Sequence, residues 1–221
     1  MSIKQTLVVS LAGGAMVAVG LVGFVTGRAS TPVVSVGLEA VSQPEGVNEE
    51  MMKRMMAEQA ELAPEHKNLL PMVGTFACEM HFIMAPGEEP EVWTGKSVNT
   101  MILGGRFLKT NFSGEMEMFG DKIDFEGFGL LGFDKTKGEY ISTWCDSMST
   151  ALIVATGKPG DSGMSISVVG SSQSPMGEVP MKTVYEIDSI DKYTMVFYQG
   201  MPGNDEMTKI GWITCVRVTE D

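Results

Sequence analysis

The sequence is poor in histidine, in cysteine and in positive charge, and each shortage removes a class of function. Its 221 residues include two histidines, His66 and His81. A metal site using both would need carboxylates that nothing in the sequence specifies. The three cysteines, Cys78, Cys145 and Cys215, lie far apart and none belongs to a CxxC pair. That excludes the usual zinc and thioredoxin-like spacings. An odd count is no disulfide scaffold; it leaves room for one bridge, and three buried, inert thiols are the expectation. Basic residues number 16 against 28 acidic ones, a net charge of −12. A nucleic-acid partner calls for a basic face, so none is expected, and the acidity reads as solubility. No P-loop, dinucleotide fingerprint or G-x-S-x-G elbow occurs; Gly127-Phe128-Gly129 is a strand glycine pair. After residue 74 no helix-length pattern is found either.

What is present divides at that residue. Leu7–Val25 is uncharged, with Lys4 before it and Arg28 after it. At 1.5 Å per residue it would run roughly 28 Å, close to the hydrocarbon thickness of a bilayer. Residues 1–28 therefore read as an uncleaved transmembrane anchor, with Lys4 cytoplasmic and the rest of the chain extracytoplasmic, in a periplasm. A cleaved signal and a secreted product are the alternative, for which Ala18-Val19-Gly20 and Gly27-Arg28-Ala29 are poor cleavage sites. Gly23 and Gly27 form a GxxxG, a weak hint of helix pairing. Residues 29–46, with Ser, Thr, Pro and Gly, read as a flexible linker.

Residues 47–73 read as a helical segment packing on the domain that follows. Asn48 is a good N-cap, with Glu49 and Glu50 in the first turn. Glu49/Lys53 and Glu50/Arg54 have i,i+4 spacing. Met51, Met52, Met55 and Met56 form a stripe. Thioethers select Cu(I), but no His or Cys stands beside them, so the stripe reads as a flexible apolar face. Pro64 ends this helix or starts the next.

Residues 74–221 show ten strand-like runs, at about 75–84, 92–102, 106–115, 122–133, 139–146, 150–157, 164–173, 181–188, 193–200 and 207–218. Short turn signals such as Gly104-Gly105, Lys137-Gly138 and Pro202-Gly203 separate them. Parallel pairing needs long crossovers, so the sheet is antiparallel. Ten consecutive strands predict an up-and-down, lipocalin-like barrel, a closure that removes exposed edges.

Alternation assigns the faces. Phe76, Cys78, Met80, Phe82 and Met84 point in, opposite Glu79 and His81. Arg106, Leu108, Thr110 and Phe112 point in, opposite Lys109 and Asn111. Ile123, Phe125, Leu131 and Phe133 oppose Asp124 and Glu126. On the last run Ile210, Trp212, Thr214, Val216 and Val218 point in, opposite Lys209 and Arg217. The interior is apolar with a few polar groups, which suits a small hydrophobic or amphipathic ligand. The candidate binding residues are Arg106, Thr110, Trp144, Tyr185, Trp212 and Thr214. Arg106 is expected at a barrel mouth, meeting an anionic head group or snorkelling out to the rim. A solid barrel acting as an envelope interaction module, and an enzyme with its site at the mouth, stay open as alternatives.

Particular stretches are familiar. Pro64-Glu65-His66-Lys67-Asn68-Leu69-Leu70, then Gly74-Thr75-Phe76, resemble the opening of domain-of-unknown-function family 1579. So do Ile102-Leu103-Gly104-Gly105-Arg106-Phe107-Leu108, Gly132-Phe133-Asp134, and the run from Tyr140 to Ser149. The resemblance spans roughly Pro64 to Val218, and the family usually has Trp where this chain has Phe76. It implies a barrel similar to the lipocalin and nitrobindin group, with no assigned activity. Nitrobindin-like barrels bind haem through a histidine on a late strand. Both histidines here are early, so no cofactor is expected.

Nor do individual groups read as catalytic. His66 follows Glu65, a pairing that could act as base and orienter. The simpler reading is a short helix whose Leu69 and Leu70 plug one barrel end while His66 bonds a strand carbonyl. His81 reads as a surface residue and Asp134 as a turn residue. Asp146 stands near Ser147, Ser149 and Thr150 without an elbow motif.

Overall fold

The structure is a computed structural model that describes residues 9–12, 15–18, 48–85, 87–118, 120–160, 163–174 and 177–219. The chain divides into two compact units, Met1–Gly46 and Val47–Asp221. In the first, Val9–Ala12 (β1) pairs antiparallel with Ala15–Ala18 (β2). The rest of the expected anchor and the linker 29–46 lie outside the described residues. Among the described residues no helix is long and apolar enough to cross a membrane.

The second unit is an all-β barrel with one short α-helix. Its strands are β3 (Gly74–Phe82), β4 (Glu91–Ile102), β5 (Phe107–Met118), β6 (Asp121–Asp134), β7 (Glu139–Asp146), β8 (Ile153–Gly157), β9 (Ser165–Ser174), β10 (Gly177–Ile187), β11 (Lys192–Met201) and β12 (Asn204–Arg217). Each pairs antiparallel with the next, and β12 pairs with β3 to close the ring. The short turns enforce this order, because a connection of a few residues can join only antiparallel neighbours. Between β4 and β5 the chain reverses through Leu103, Gly104 and Gly105, all at positive φ. β10 begins earlier than its proline suggests: Pro180 lies within it, near its start.

The alternation holds for β3 and β5, where Phe76, Cys78, Met80, Leu108 and Phe112 are buried. It fails on β12. There Ile213 and Cys215 are buried, whereas Trp212 and Thr214 take the other face. The cause is an irregularity in the β11–β12 register. Phe197 faces Gly211 and Tyr198 faces Lys209, so Ile210 is an extra residue. One extra residue inverts the facing of everything beyond it.

Inversion also brings Cys215 opposite Cys78, and the two form a disulfide with Cα atoms 4.2 Å apart. This corrects the expectation of three thiols; Cys145 alone is free. The bridge links the first and last strands of the barrel.

Asn48 caps helix α1 (Glu49–Ala60), its Oδ1 accepting the Met51 N–H at 2.8 Å. Lys53 pairs with Glu49 at 2.5 Å, while Arg54 turns to Glu58, at 2.9 Å, rather than to Glu50. No residue of α1 is buried, and Met51, Met55 and Met56 are each nearly half exposed. The methionine stripe therefore does not pack on the barrel as expected. The helix is held near its C-terminus instead, where Arg106 and Lys135 donate to the Ala60 and Glu58 carbonyls.

Pro64–Met72 is a 3-10 helix that covers one end of the barrel. Its period of three puts His66, Leu69 and Met72 on the inner face. Leu70, expected to plug the end beside Leu69, is instead 54% exposed. His66 does not reach a strand carbonyl either. Its Nδ1 accepts the Ala63 N–H at 3.1 Å, and its ring meets Phe133 edge-on at 6.0 Å. Tyr140 fastens the helix, accepting from Asn68 at 2.9 Å and donating to the Glu65 carbonyl at 3.3 Å.

Candidate ligand cavity

The capped end of the barrel is packed solid. Leu69, Met72, Phe76, Ile166, Cys215 and Tyr140 are essentially without exposure there. Arg217 closes this end as well. From the last strand its guanidinium lies 4.6 Å from the Phe76 ring and donates to the Val73 carbonyl at 2.7 Å and the Pro71 carbonyl at 3.0 Å. Its Nε serves Ile190 O at 2.9 Å and Asp191 Oδ1 at 3.2 Å. A planar five-donor group can satisfy that many carbonyls at once. Gly74, at φ +131, gives it room, since a Cβ there would strike the guanidinium. Arg217 was expected to point outward; the Ile210 bulge turns it onto the barrel end.

Towards the other end the lumen opens into a cavity of about 1090 Å³ that reaches the turns after β3 and β11, at Ile83, Met84, Met201 and Pro202. Its wall is mainly apolar, with Phe82, Phe112, Phe125, Phe197, Trp93 and Trp144 among it. Methionines add pliability: Met72, Met80, Met84, Met116, Met181, Met195 and Met201 all line it. Inward glycines admit one of these aromatics. Gly127 and Gly129 on β6 sit against Trp144 on β7, whose indole occupies the volume a Cβ at either position would need.

Polar groups gather at the inner end. Ser97 donates to Asn99 Oδ1 at 2.8 Å. Asn99 Nδ2 donates to the Met72 carbonyl at 2.9 Å and to the Tyr193 hydroxyl at 3.0 Å. This set ties β4 and β11 to the capping helix and satisfies both Asn99 donors. Nearby, the Tyr185 hydroxyl and Ser142 Oγ lie 3.4 Å apart. Burial pushes the Tyr185 and Tyr193 phenols above their ordinary value, with the bonds to Ser142 and Asn99 pulling the other way. Both stay protonated, so they remain O–H donors at physiological pH.

At the outer end the Trp144 indole N–H donates to Asp146 Oδ2 at 2.9 Å, and Asp146 Oδ1 accepts the Met148 N–H at 3.0 Å. Ser147 Oγ accepts the Glu126 N–H. Both histidines are elsewhere: His66 is in the capping helix, and His81 is on the outer face of β3, 2.6 Å from Glu79. Among the described residues no serine, histidine and aspartate come together.

The sequence-derived site residues thus divide. Thr110, Trp144 and Tyr185 line the cavity. Trp212 and Thr214 do not. Trp212 stacks on His81 at 4.6 Å with Lys209 Nζ 4.0 Å above it, and Thr214 is opposite exposed Glu79. Arg106 is not in the lumen. It follows the β4–β5 turn at the capped end and donates to Leu103 O at 2.9 Å and to Ala60 O. It snorkels to the rim, as one of the two expectations had it. Sequence reasoning missed Asn99, Ser142 and Tyr193. Neither the odd positions of β4 nor the even positions of β7 make a clear apolar face, and only the register of the closed ring assigns Asn99 and Ser142, with Tyr193 on β11, inward.

Residues 61–213 match the family described as "Protein of unknown function (DUF1579)". The crystal structure of Rv2717c from M. tuberculosis is similar, at a TM-score of 0.54 and 18% identity, over 72% of this chain and 100% of that one. At that identity the likeness carries the fold alone. No curated protein matches the sequence.

Proposed function

The chain belongs to the DUF1579 family, and from that premise we propose that it is a membrane-tethered, extracytoplasmic barrel that binds a small hydrophobic molecule. The observation that carries the reading is the apolar cavity of about 1090 Å³, open at one end and polar at its inner end. Ligand sites commonly enclose about 300–1,000 Å³ with few polar groups, and this lumen is of that kind and size. The uncharged run Leu7–Val25 supports the tether. The Cys78–Cys215 disulfide supports an oxidising compartment. The experiment is a native mass spectrum of the full chain purified from membranes, followed by organic extraction. A bound species that extraction removes is expected; a bare protein that also takes up no added apolar probe would contradict the reading. For the tether, alkaline phosphatase fused after Asp221 is expected to be active. An inactive fusion in a cell that makes the full-length chain would refute export.

A further inference from the structure

The inner end of the cavity has a hydroxyl donor to spare within reach of the lumen, and the charges around the cavity indicate what should take it. Tyr185 and Ser142 carry one O–H each and share a single contact, at 3.4 Å. Two hydroxyls joined by one hydrogen bond leave one O–H uncommitted. The neighbouring Ser97–Asn99–Tyr193 set is closed off instead: every polar atom of the Asn99 amide is engaged, and Tyr193, which accepts from it, is only 2% exposed. Tyr185 lies on β10 only two residues from the capped end, yet it is not fully covered, and it lines the lumen. Its remaining exposure is therefore to the cavity.

Charge narrows the class further. Of the residues lining the cavity, Asp146, Glu206 and Lys209 are charged, and all belong to the outer half of their strands or to the mouth. Lys209 is drawn over Trp212 on the outer face. No cation lines the inner end: Arg106 is outside the lumen, and Arg217, whose charge is felt at Tyr193, is held against the backbone carbonyls of the cap on the far side of Phe76. An ionised carboxylate pushed to the inner end would lose its water and find no cation to pair with directly, which is strongly unfavourable.

We propose that the cavity takes an elongated, uncharged amphiphile whose carbonyl or other neutral acceptor lies against Tyr185 and Ser142, with its apolar chain running towards the mouth. The inference rests on the ligand-binding reading above and specifies its chemistry. It also replaces the anionic head group that Arg106 suggested in the sequence.

Trp93 and Trp144 line the cavity, so their emission reports occupancy. Titrate the full chain with methyl decanoate, decanoate and decane. The ester is expected to bind at least about tenfold more tightly than the carboxylate. A net hydrogen bond is worth about 0.5–1.5 kcal/mol, so Tyr185→Phe should weaken ester binding about threefold to tenfold and shrink its preference over decane. Ser142→Ala should do the same, which covers the case in which the tyrosine variant does not fold; melting curves report folding. Tighter carboxylate than ester, or an ester preference untouched by either folded variant, overturns the inference while leaving the cavity reading standing. Saturation by none of the three probes overturns both.

Discussion

Cys78 on the first strand of the barrel faces Cys215 on the last, and their disulfide fastens the seam at which the ring closes. The residues it joins are 137 apart in sequence. A covalent closure of so long a loop removes much of the unfolded chain's freedom. Replacing both cysteines with serine, or reducing the bridge, should lower unfolding free energy by about 2–5 kcal/mol in denaturant titration. Under denaturing, non-reducing conditions a thiol assay should find one thiol per chain, that of Cys145. Three thiols would contradict the pairing.

Closure at the capped end depends on Arg217 in a different way. Removing its guanidinium leaves the Pro71, Val73 and Ile190 carbonyls without their donor. Arg217→Met should cost about 2–4 kcal/mol, and Arg217→Lys should recover little of it, since an ammonium cannot span that set of carbonyls. Arg106→Leu removes contacts at an exposed rim and should change stability by less than about 1 kcal/mol, with no effect on probe binding. Chemical denaturation of the three variants checks this; a larger loss for Arg106→Leu than for Arg217→Met would reverse the assignment.

These two arginines mark where the sequence was legible and where it was not. Strand positions could be read because Gly and Pro interrupt alternating runs, and the observed strands begin and end within a few residues of the expected ones. Facing was readable on β3 and β5, where one parity is apolar and the other charged. On β12 both parities are apolar, Trp212 and Val216 against Ile213 and Cys215, so only Lys209 and Arg217 suggested the face. The Ile210 bulge between them breaks the inference, because no residue type announces such an insertion. The cysteine pair was hidden for the same reason. The 3-10 helix was misread by period: Leu69 and Leu70 look like a plug, while a repeat of three selects Leu69 and Met72.

Trp144 shapes the cavity wall by occupying the space over two glycines. Gly127→Val should displace the indole, break its bond to Asp146 and destabilise the barrel by about 1–3 kcal/mol. The checks are a thermal melt and tryptophan emission, which should shift as the indole meets water. A native-like melt with unchanged emission would mean the glycine is not required.

The buried phenols predict the response to alkali. Tyr185 and Tyr193 have folded-state pKa values above the unfolded value of about 10. Their contribution to stability is fully present below about pH 10 and is lost as pH rises through the folded values. Melting temperature should therefore fall as pH climbs from about 10, and Tyr193→Phe should make that fall shallower. An identical alkaline slope in parent and variant would contradict it.

The central claim is that the lumen is a binding cavity, and calorimetry tests it most directly. Methyl decanoate titrated into the full chain at several temperatures should saturate at one molecule per chain. Its heat-capacity change should be negative, the mark of apolar burial. Thr110→Trp, which fills the lumen from β5, should abolish that binding in a protein that still melts cooperatively. Absence of saturable heat in the parent, or undiminished binding in the folded Thr110→Trp variant, would contradict the account.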